Sequence, residues 1–170
     1  MYTITQNIYT FEELSEKAQA KVLKDNFSDI LTDNRWYLDT ITEDAKGTAD
    51  LDIVEFDLYP PYINAKFTTS AKSSALRVIS EHGNTRATYL IAKRFLSCLD
   101  ELERQEDTAK TEAELEDLQE AYLEDLSRAY LNLLDREYQD LCSDEAIAEH
   151  IISNAYEFYE DGERYNIRKK

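Results

Sequence analysis

Three glycines, Gly47, Gly83 and Gly162, and the pair Pro60-Pro61 are all the strong backbone breakers this chain has in 170 residues. That scarcity disfavours long irregular loops, propellers and collagen-like repeats, and favours helices joined by short turns. Apolar residues at 42 % and aromatics at 11 % suffice for a buried core. One domain over residues 1–170 is expected, with an N-terminal α+β part over 1–89, an acidic helical hairpin over 90–142, and a C-terminal helix and β-hairpin over 143–170.

Periodicity places the elements between the breakers. Tyr2, Ile4 and Ile8 suit a short β-segment. Thr10-Phe11-Glu12-Glu13 then forms a capping-box pattern ahead of Leu14, Ala18 and Val22, a helix reaching about Asn26, with Ser15 as the alternative N-cap. Residues 33–46 carry Trp36, Tyr37, Ile41 and Ala45 on an inner face, with Gly47 as the stop. Alternation over residues 51–59 puts Val54, Phe56 and Leu58 on one side of a strand, and Ile63, Ala65 and Phe67 alternate after the proline turn, so the two runs pair antiparallel. Residues 71–90 read as a hairpin around Gly83, because β-branched residues flank it, with a short helix stopped by Gly83 as the alternative.

Helical spacing returns with Ile91, Phe95, Leu99 and Leu102, followed by a polar joint at residues 105–111. The longest helical signal covers residues 112–141, with Leu115, Leu118, Tyr122, Leu126, Ala129 and Leu133 on one face. Ser143 caps a last helix with Ala146, Ile147, Ile151 and Ala155 inward, and Asp161-Gly162 marks a hairpin turn. The fold class is α+β: a small antiparallel sheet packed with helices, including a long C-terminal helical hairpin.

Charge narrows the function. The chain carries 36 acidic and 19 basic residues, a net of −17. Neutralising phosphates needs clustered Lys and Arg, so direct duplex DNA binding and adhesion to anionic membranes are both disfavoured, and a partner should be basic. By segment the net is −8 over residues 1–58, +5 over 59–99, −13 over 100–145 and −1 over 146–170. The basic middle either neutralises its neighbours or, through Lys66, Lys72, Arg77, Arg86, Lys93 and Arg94, touches nucleic acid itself. Met1-Tyr2-Thr3-Ile4-Thr5 lacks a basic stretch before an apolar core, and no apolar run approaches the ~18 residues of a membrane span, so a cytoplasmic location is expected.

Chemistry of the usual kinds finds no foothold. His82 and His150 are the sole imidazole bases, and neither lies in a nucleophile motif. A Gly-rich phosphate loop cannot be built from Gly47, Gly83 and Gly162. Glu145, Glu149 and His150 share a helix but lack the inward Glu-x-x-His pattern of di-iron bundles, and Cys98 and Cys142 have no ligand at metal spacing and read as reduced apolar side chains. No enzyme activity, metal or cofactor is expected.

One constellation remains. Glu112, Glu114, Glu116, Asp117, Glu120, Glu124 and Asp125 fall within 13 residue steps of one helix, which at about 1.5 Å per residue is about 20 Å, or one charge per roughly 3 Å. A DNA strand carries one per about 3.4 Å. Like charges four apart weaken a helix, and only Lys110 and Arg128 flank the series. A basic groove built for nucleic acid would meet a similar linear charge here, with Tyr122 and Tyr130 as aromatic anchors where bases would stack. The same residues also fit a solvated acidic face over a core filled by tyrosines.

The stretches Tyr9-Thr10-Phe11-Glu12-Glu13-Leu14-Ser15-Glu16-Lys17-Ala18, Ser143-Asp144-Glu145-Ala146-Ile147 and Asn154-Ala155-Tyr156-Glu157-Phe158-Tyr159-Glu160-Asp161-Gly162-Glu163-Arg164-Tyr165 resemble a group of small, acidic phage and prophage proteins, some labelled antitoxin-like. The resemblance covers about a third of the chain, at its ends. The middle departs from it: Tyr59-Pro60-Pro61-Tyr62 and Phe67-Thr68-Thr69 stand where the group has a Gly-rich segment. As a class, small acidic phage proteins are similar to inhibitors that occupy nucleic-acid-binding surfaces of host nucleases, anti-CRISPR proteins above all. The resemblance implies a non-enzymatic inhibitor of an RNA-guided nuclease, type II by preference, or of its guide-RNA complex, acting in the host cytoplasm. The alternative is an antitoxin-like or regulatory module that binds a basic partner or pairs with itself.

Overall fold

The clearest alternation in the sequence becomes a hairpin. A computed structural model describes residues 7–33, 36–104 and 108–165, and in it β2 (Leu51–Leu58) pairs antiparallel with β3 (Pro61–Phe67) across the two-residue turn Tyr59-Pro60. The remaining elements are β1 (Tyr9–Thr10), a 3-10 turn (Phe11–Glu13), α1 (Glu16–Asp33), α2 (Trp36–Thr48), α3 (Ala71–Glu81), α4 (Ala87–Leu102), α5 (Thr108–Leu141), α6 (Asp144–Ser153) and β4 (Glu157–Phe158). The class is α+β, as read from the sequence, with two separate two-stranded sheets, β1-β4 and β2-β3. Ile8 lies ahead of β1, and the expected strand residues Tyr2 and Ile4 lie outside the described residues, as do the side chains of Trp36 and Tyr37 and part of the joint at 105–111.

Two compact units form: residues 37–136, and residues 1–36 together with 137–170. They cut across the parts expected at 1–89, 90–142 and 143–170. The reason is that the chain ends meet. Tyr9 pairs with Phe158 and Thr10 with Glu157, while Phe11, Leu14, Ala18 and Val22 share a core with Ile147, Ile151 and Phe158. Of the two N-caps considered for the first helix, Ser15 is the one that starts α1, its Oγ accepting from the Ala18 N–H at 3.3 Å, whereas Thr10 opens the 3-10 turn, where Glu13 accepts from its N–H at 2.9 Å. Helix α1 runs past Asn26 to Asp33. Ser143 caps α6 through the Ala146 N–H at 3.2 Å, whereas Ala155, expected inward, is exposed beyond the helix end with φ 50°. The Asp161-Gly162 turn forms, with Gly162 at φ 81° and a single antiparallel bridge, Phe158 to Arg164.

In the central unit, Ala45, Ala49, Leu51, Ala71, Ala75, Val78, Ala92, Phe95, Leu99, Tyr122, Leu126 and Tyr130 are buried together. Ile53, Ile63, Ala65 and Phe67 pack onto them from the hairpin. The register of β2 on β3 slips between Ile53 and Glu55, so Val54, expected inward with Phe56 and Leu58, is instead 57 % exposed. A β-bulge of this kind changes the phase of every side chain beyond it. Helix α2 continues through Gly47 to Thr48.

The hairpin expected at residues 71–90 is two helices. Ser70 Oγ accepts from the Ser73 N–H at 3.1 Å, and the buried face of α3 is Ala71, Ser74, Ala75 and Val78, a helical spacing built from small residues. Gly83 sits in the connection, where its carbonyl accepts from the Arg86 N–H at 3.0 Å. Asp50, buried with φ 49°, ties the start of β2 to this region: its carboxylate accepts from Thr69 Oγ1 at 3.1 Å and from Arg77 Nη1 at 2.5 Å, and its carbonyl accepts from the Thr68 N–H at 2.8 Å.

His82 is buried in a polar cluster. Thr48 Oγ1 donates to the Asp44 carbonyl at 2.8 Å, which leaves its oxygen to accept from His82 Nε2–H at 2.8 Å, while Thr88 Oγ1 donates to Nδ1 at 2.6 Å. That network is complete for the neutral imidazole. Burial holds His82 below its ordinary value of 6.5; Asp44 and Glu81 oppose the shift, and Arg86 adds to it.

The unfolded chain, with an ordinary imidazole, takes up the proton first, so stability present above pH ~6.5 is lost as pH falls through the lowered folded value. Urea midpoints at pH 7.5 and 5.5 should therefore fall in acid, and fall less in His82→Gln; an equal fall in both would contradict this. Gly162 makes a second test. A Cβ there would lie 2.9 Å from the Ala18 carbonyl oxygen and 3.1 Å from Val22 Cγ2 at a positive φ, so Gly162→Ala should cost about 1–3 kcal/mol. Thermal unfolding should show it, together with faster hydrogen exchange in α1 and α6.

Candidate partner-binding surface

Helix α5 is held by what it buries. Tyr122, Leu126, Tyr130 and Leu134 are each 3 % exposed or less, and Ala129 is buried beside them; Leu133, expected on that face, is 43 % exposed. Tyr122 stacks on Phe95 at 4.3 Å and on Phe67 at 5.3 Å, with its hydroxyl 3.3 Å from Ser74 Oγ, and burial pushes it up to about 12. The Tyr130 hydroxyl donates to Asp44 Oδ2 at 3.2 Å and is raised by burial as well. Tyr122 and Tyr130 are thus core residues, and their assignment as surface anchors is corrected. The helical turn that exposes Glu120 and Glu124 carries Tyr122 to the other side.

The seven carboxylates divide into two sets. Glu112, Glu116, Asp117, Glu120 and Glu124 are exposed, whereas Glu114 and Asp125 are half-buried. At about 100° per residue Glu112, Glu116, Glu120 and Asp117 lie within an arc of ~140°, and Glu114 and Asp125 fall on the opposite flank of the buried stripe. Arg128 ion-pairs with Glu124 and lies 3.9 Å from Asp125, which compensates the C-terminal end of the series. Among the described residues Glu112, Glu116, Asp117 and Glu120 have no ion pair. The uncompensated run therefore shortens to about 12 Å and one charge per roughly 4 Å.

Beside this stripe runs a groove of about 480 Å³ between β3 and α5, lined by residues 61–65 and by Glu120, Leu123, Glu124, Ser127, Arg128 and Leu131. Glu120 and Glu124 belong to the site read from the sequence, whereas residues 61–65, Leu123, Ser127, Arg128 and Leu131 were outside it. The exposed Tyr59 and Tyr62 bracketing the prolines were the available signal.

The basic middle segment is half consumed internally. Lys66 reaches Asp52 at 3.8 Å, Lys72 reaches Glu103 at 2.7 Å, and Arg77 reaches Asp50, each partner belonging to a flanking acidic segment. Arg86, Lys93 and Arg94 are exposed and have no ion pair among the described residues. In the other unit, Arg164 lies 3.4 Å from the centroid of the Tyr156 ring, and Tyr159 meets Tyr165 edge-on at 5.7 Å. Cys98 and Cys142 are both free, and among the described residues no three His, Cys, Asp or Glu converge. No described helix is long and apolar enough to cross a membrane.

No family model, no curated protein and no solved structure matches the chain.

The core placement of Tyr122 is testable by unfolding. Tyr122→Phe keeps both ring contacts and should cost at most about 1 kcal/mol, whereas Tyr122→Ala should cost about 3–5 kcal/mol. Urea denaturation separates the two; a Tyr122→Ala protein as stable as the parent would place the ring outside the core.

Proposed function

We propose that the protein is a non-enzymatic binding protein that presents the acidic face of α5 to a basic, nucleic-acid-holding surface. In its specific form it is a phage-encoded inhibitor of a host defence nuclease, an anti-CRISPR protein that keeps target DNA from an RNA-guided nuclease of type II in the host cytoplasm. The observation that carries this reading is the exposed set Glu112, Glu116, Asp117 and Glu120, left without ion pairs among the described residues in a chain of net charge −17. An RNA-guided nuclease reads its PAM with arginines and holds the heteroduplex in a positively charged channel. A rigid helix with closely spaced carboxylates competes for such a surface by releasing the same counterions. The phage context rests on the resemblance of the terminal motifs, which fall together in the unit of residues 1–36 and 137–170.

A second reading, a self-pairing or antitoxin-like module, is favoured by Leu76 and Leu90, which are 54 % and 56 % exposed on α3 and α4. Light scattering separates it, since a stable dimer lost in Leu76→Ser with Leu90→Ser supports that module.

The inhibitor reading predicts that Glu116→Lys, Asp117→Lys and Glu120→Lys together abolish competition with target DNA for a guide-loaded type II nuclease in a gel-shift assay. Thermal stability should stay close to that of the parent. Undiminished competition by this triple variant would sink the proposal.

A further inference from the structure

The groove between β3 and α5 has two unlike walls. One is made by the consecutive residues 61–65, so it follows the length of the strand past its edge; a groove under one face would touch alternate residues only. No β2 residue lines it, and β3 has β2 as its one partner in a two-stranded sheet. This edge of β3 is therefore unpaired among the described residues, a row of backbone donors and acceptors open to another strand. The other wall is one face of α5, residues 120, 123, 124, 127, 128 and 131, with Leu123 and Leu131 as apolar floor, Glu120 as acidic rim, and Glu124 already paired with Arg128. Glu116 continues that rim one turn away, and Tyr62, 47 % exposed, offers a ring to a cation at the strand end.

We propose that this groove binds an extended basic segment of a partner protein by strand addition to β3. The added strand hydrogen-bonds the open edge, sets apolar side chains on Leu123 and Leu131, and brings Lys or Arg to Glu120, Glu116 and Tyr62. Charge selects this occupant. A second copy of the chain would bring two acidic stripes together, and nucleic acid would meet carboxylates of its own sign. The five residues of the edge span about 17 Å, enough for a segment of five or six residues. The inference rests on the proposed function only in taking the partner to be basic, and it names how that partner is held.

Fluorescence anisotropy on the full chain tests it with a labelled synthetic peptide of alternating Lys or Arg and Val or Ile. The controls are the same peptide N-methylated on alternate backbone nitrogens, and a scrambled peptide of equal charge without alternation. Binding at least tenfold tighter than either control, and lost in Leu131→Arg, supports strand addition. Equal binding of all three peptides would show charge attraction alone and overturn it, as would a concentration-dependent dimer that Leu131→Arg abolishes. The two readings fail separately. Peptide binding with undiminished nuclease competition by the Glu116, Asp117 and Glu120 charge reversal would remove the inhibitor mechanism alone, whereas competition without selective peptide binding would remove the strand-addition mode alone.

Discussion

Tyr122 lies between Phe95 at 4.3 Å and Phe67 at 5.3 Å, and the central unit is arranged around that contact. It joins α5 to α4 and to β3 at once. Ser74 extends it, since its hydroxyl lies 3.3 Å from Tyr122 and 2.6 Å from the Ala49 carbonyl, which brings in α3 and the end of α2. The small residues Ala45, Ala49, Ala71, Ala75 and Ala92 fill the space around this group, where larger side chains would hold the helices apart. With one side of α5 committed to the stack, its carboxylates have only the solvent side left. The acidic surface is thus a geometric consequence of where an aromatic ring is buried.

Much of this was readable from residue order. Alternation on both sides of Pro60-Pro61 identified β2 and β3, and the spacing of Phe95, Leu99, Tyr122 and Leu126 identified two helices and their inner faces. Residues 71–90 were misread because the buried face of α3 consists of Ala71, Ser74, Ala75 and Val78, mostly residues too small to register as apolar, while Val78, Ile79, Thr85 and Thr88 suggested strands. Val54 failed for a different reason: a bulge is set by pairing with a partner strand, and no local pattern announces it. The meeting of the chain ends is likewise a tertiary fact, carried by short segments such as Tyr9–Thr10 and Glu157–Phe158 that have little signal of their own.

The site was legible in its charge and illegible in its depth. Composition and spacing located the carboxylates, but sequence alone assigned Tyr122 and Tyr130 to the surface because tyrosine serves cores and interfaces equally. The groove went unseen since it is formed by the edge of one element and the flank of another, 59 positions apart at Ala65 and Glu124. The resemblance at the termini bears on β1, α1, α6 and β4, which form the other unit. It therefore bears on the scaffold of that unit, and the role proposed for α5 rests on charge and geometry.

The energetics explain why such a helix can carry its charge. The like-charge pairs Glu112 with Glu116, Glu116 with Glu120 and Glu120 with Glu124 each cost about 0.2–0.5 kcal/mol, and Arg128 offsets the last of them through Glu124. Burying Leu126 and Leu134, both fully buried, contributes about 1.5–3 kcal/mol apiece. Tertiary packing outweighs the repulsion several-fold, so the helix stands with its carboxylates closely spaced. The same comparison shows that the stripe contributes nothing to holding the fold: neutral residues at Glu116 and Glu120 would leave every buried contact of α5 in place and remove a small strain. Four uncompensated carboxylates on a well-anchored helix, beside an unpaired strand edge, make a surface whose shape is set by the core while its charge is independent of it, and that independence makes binding separable from folding.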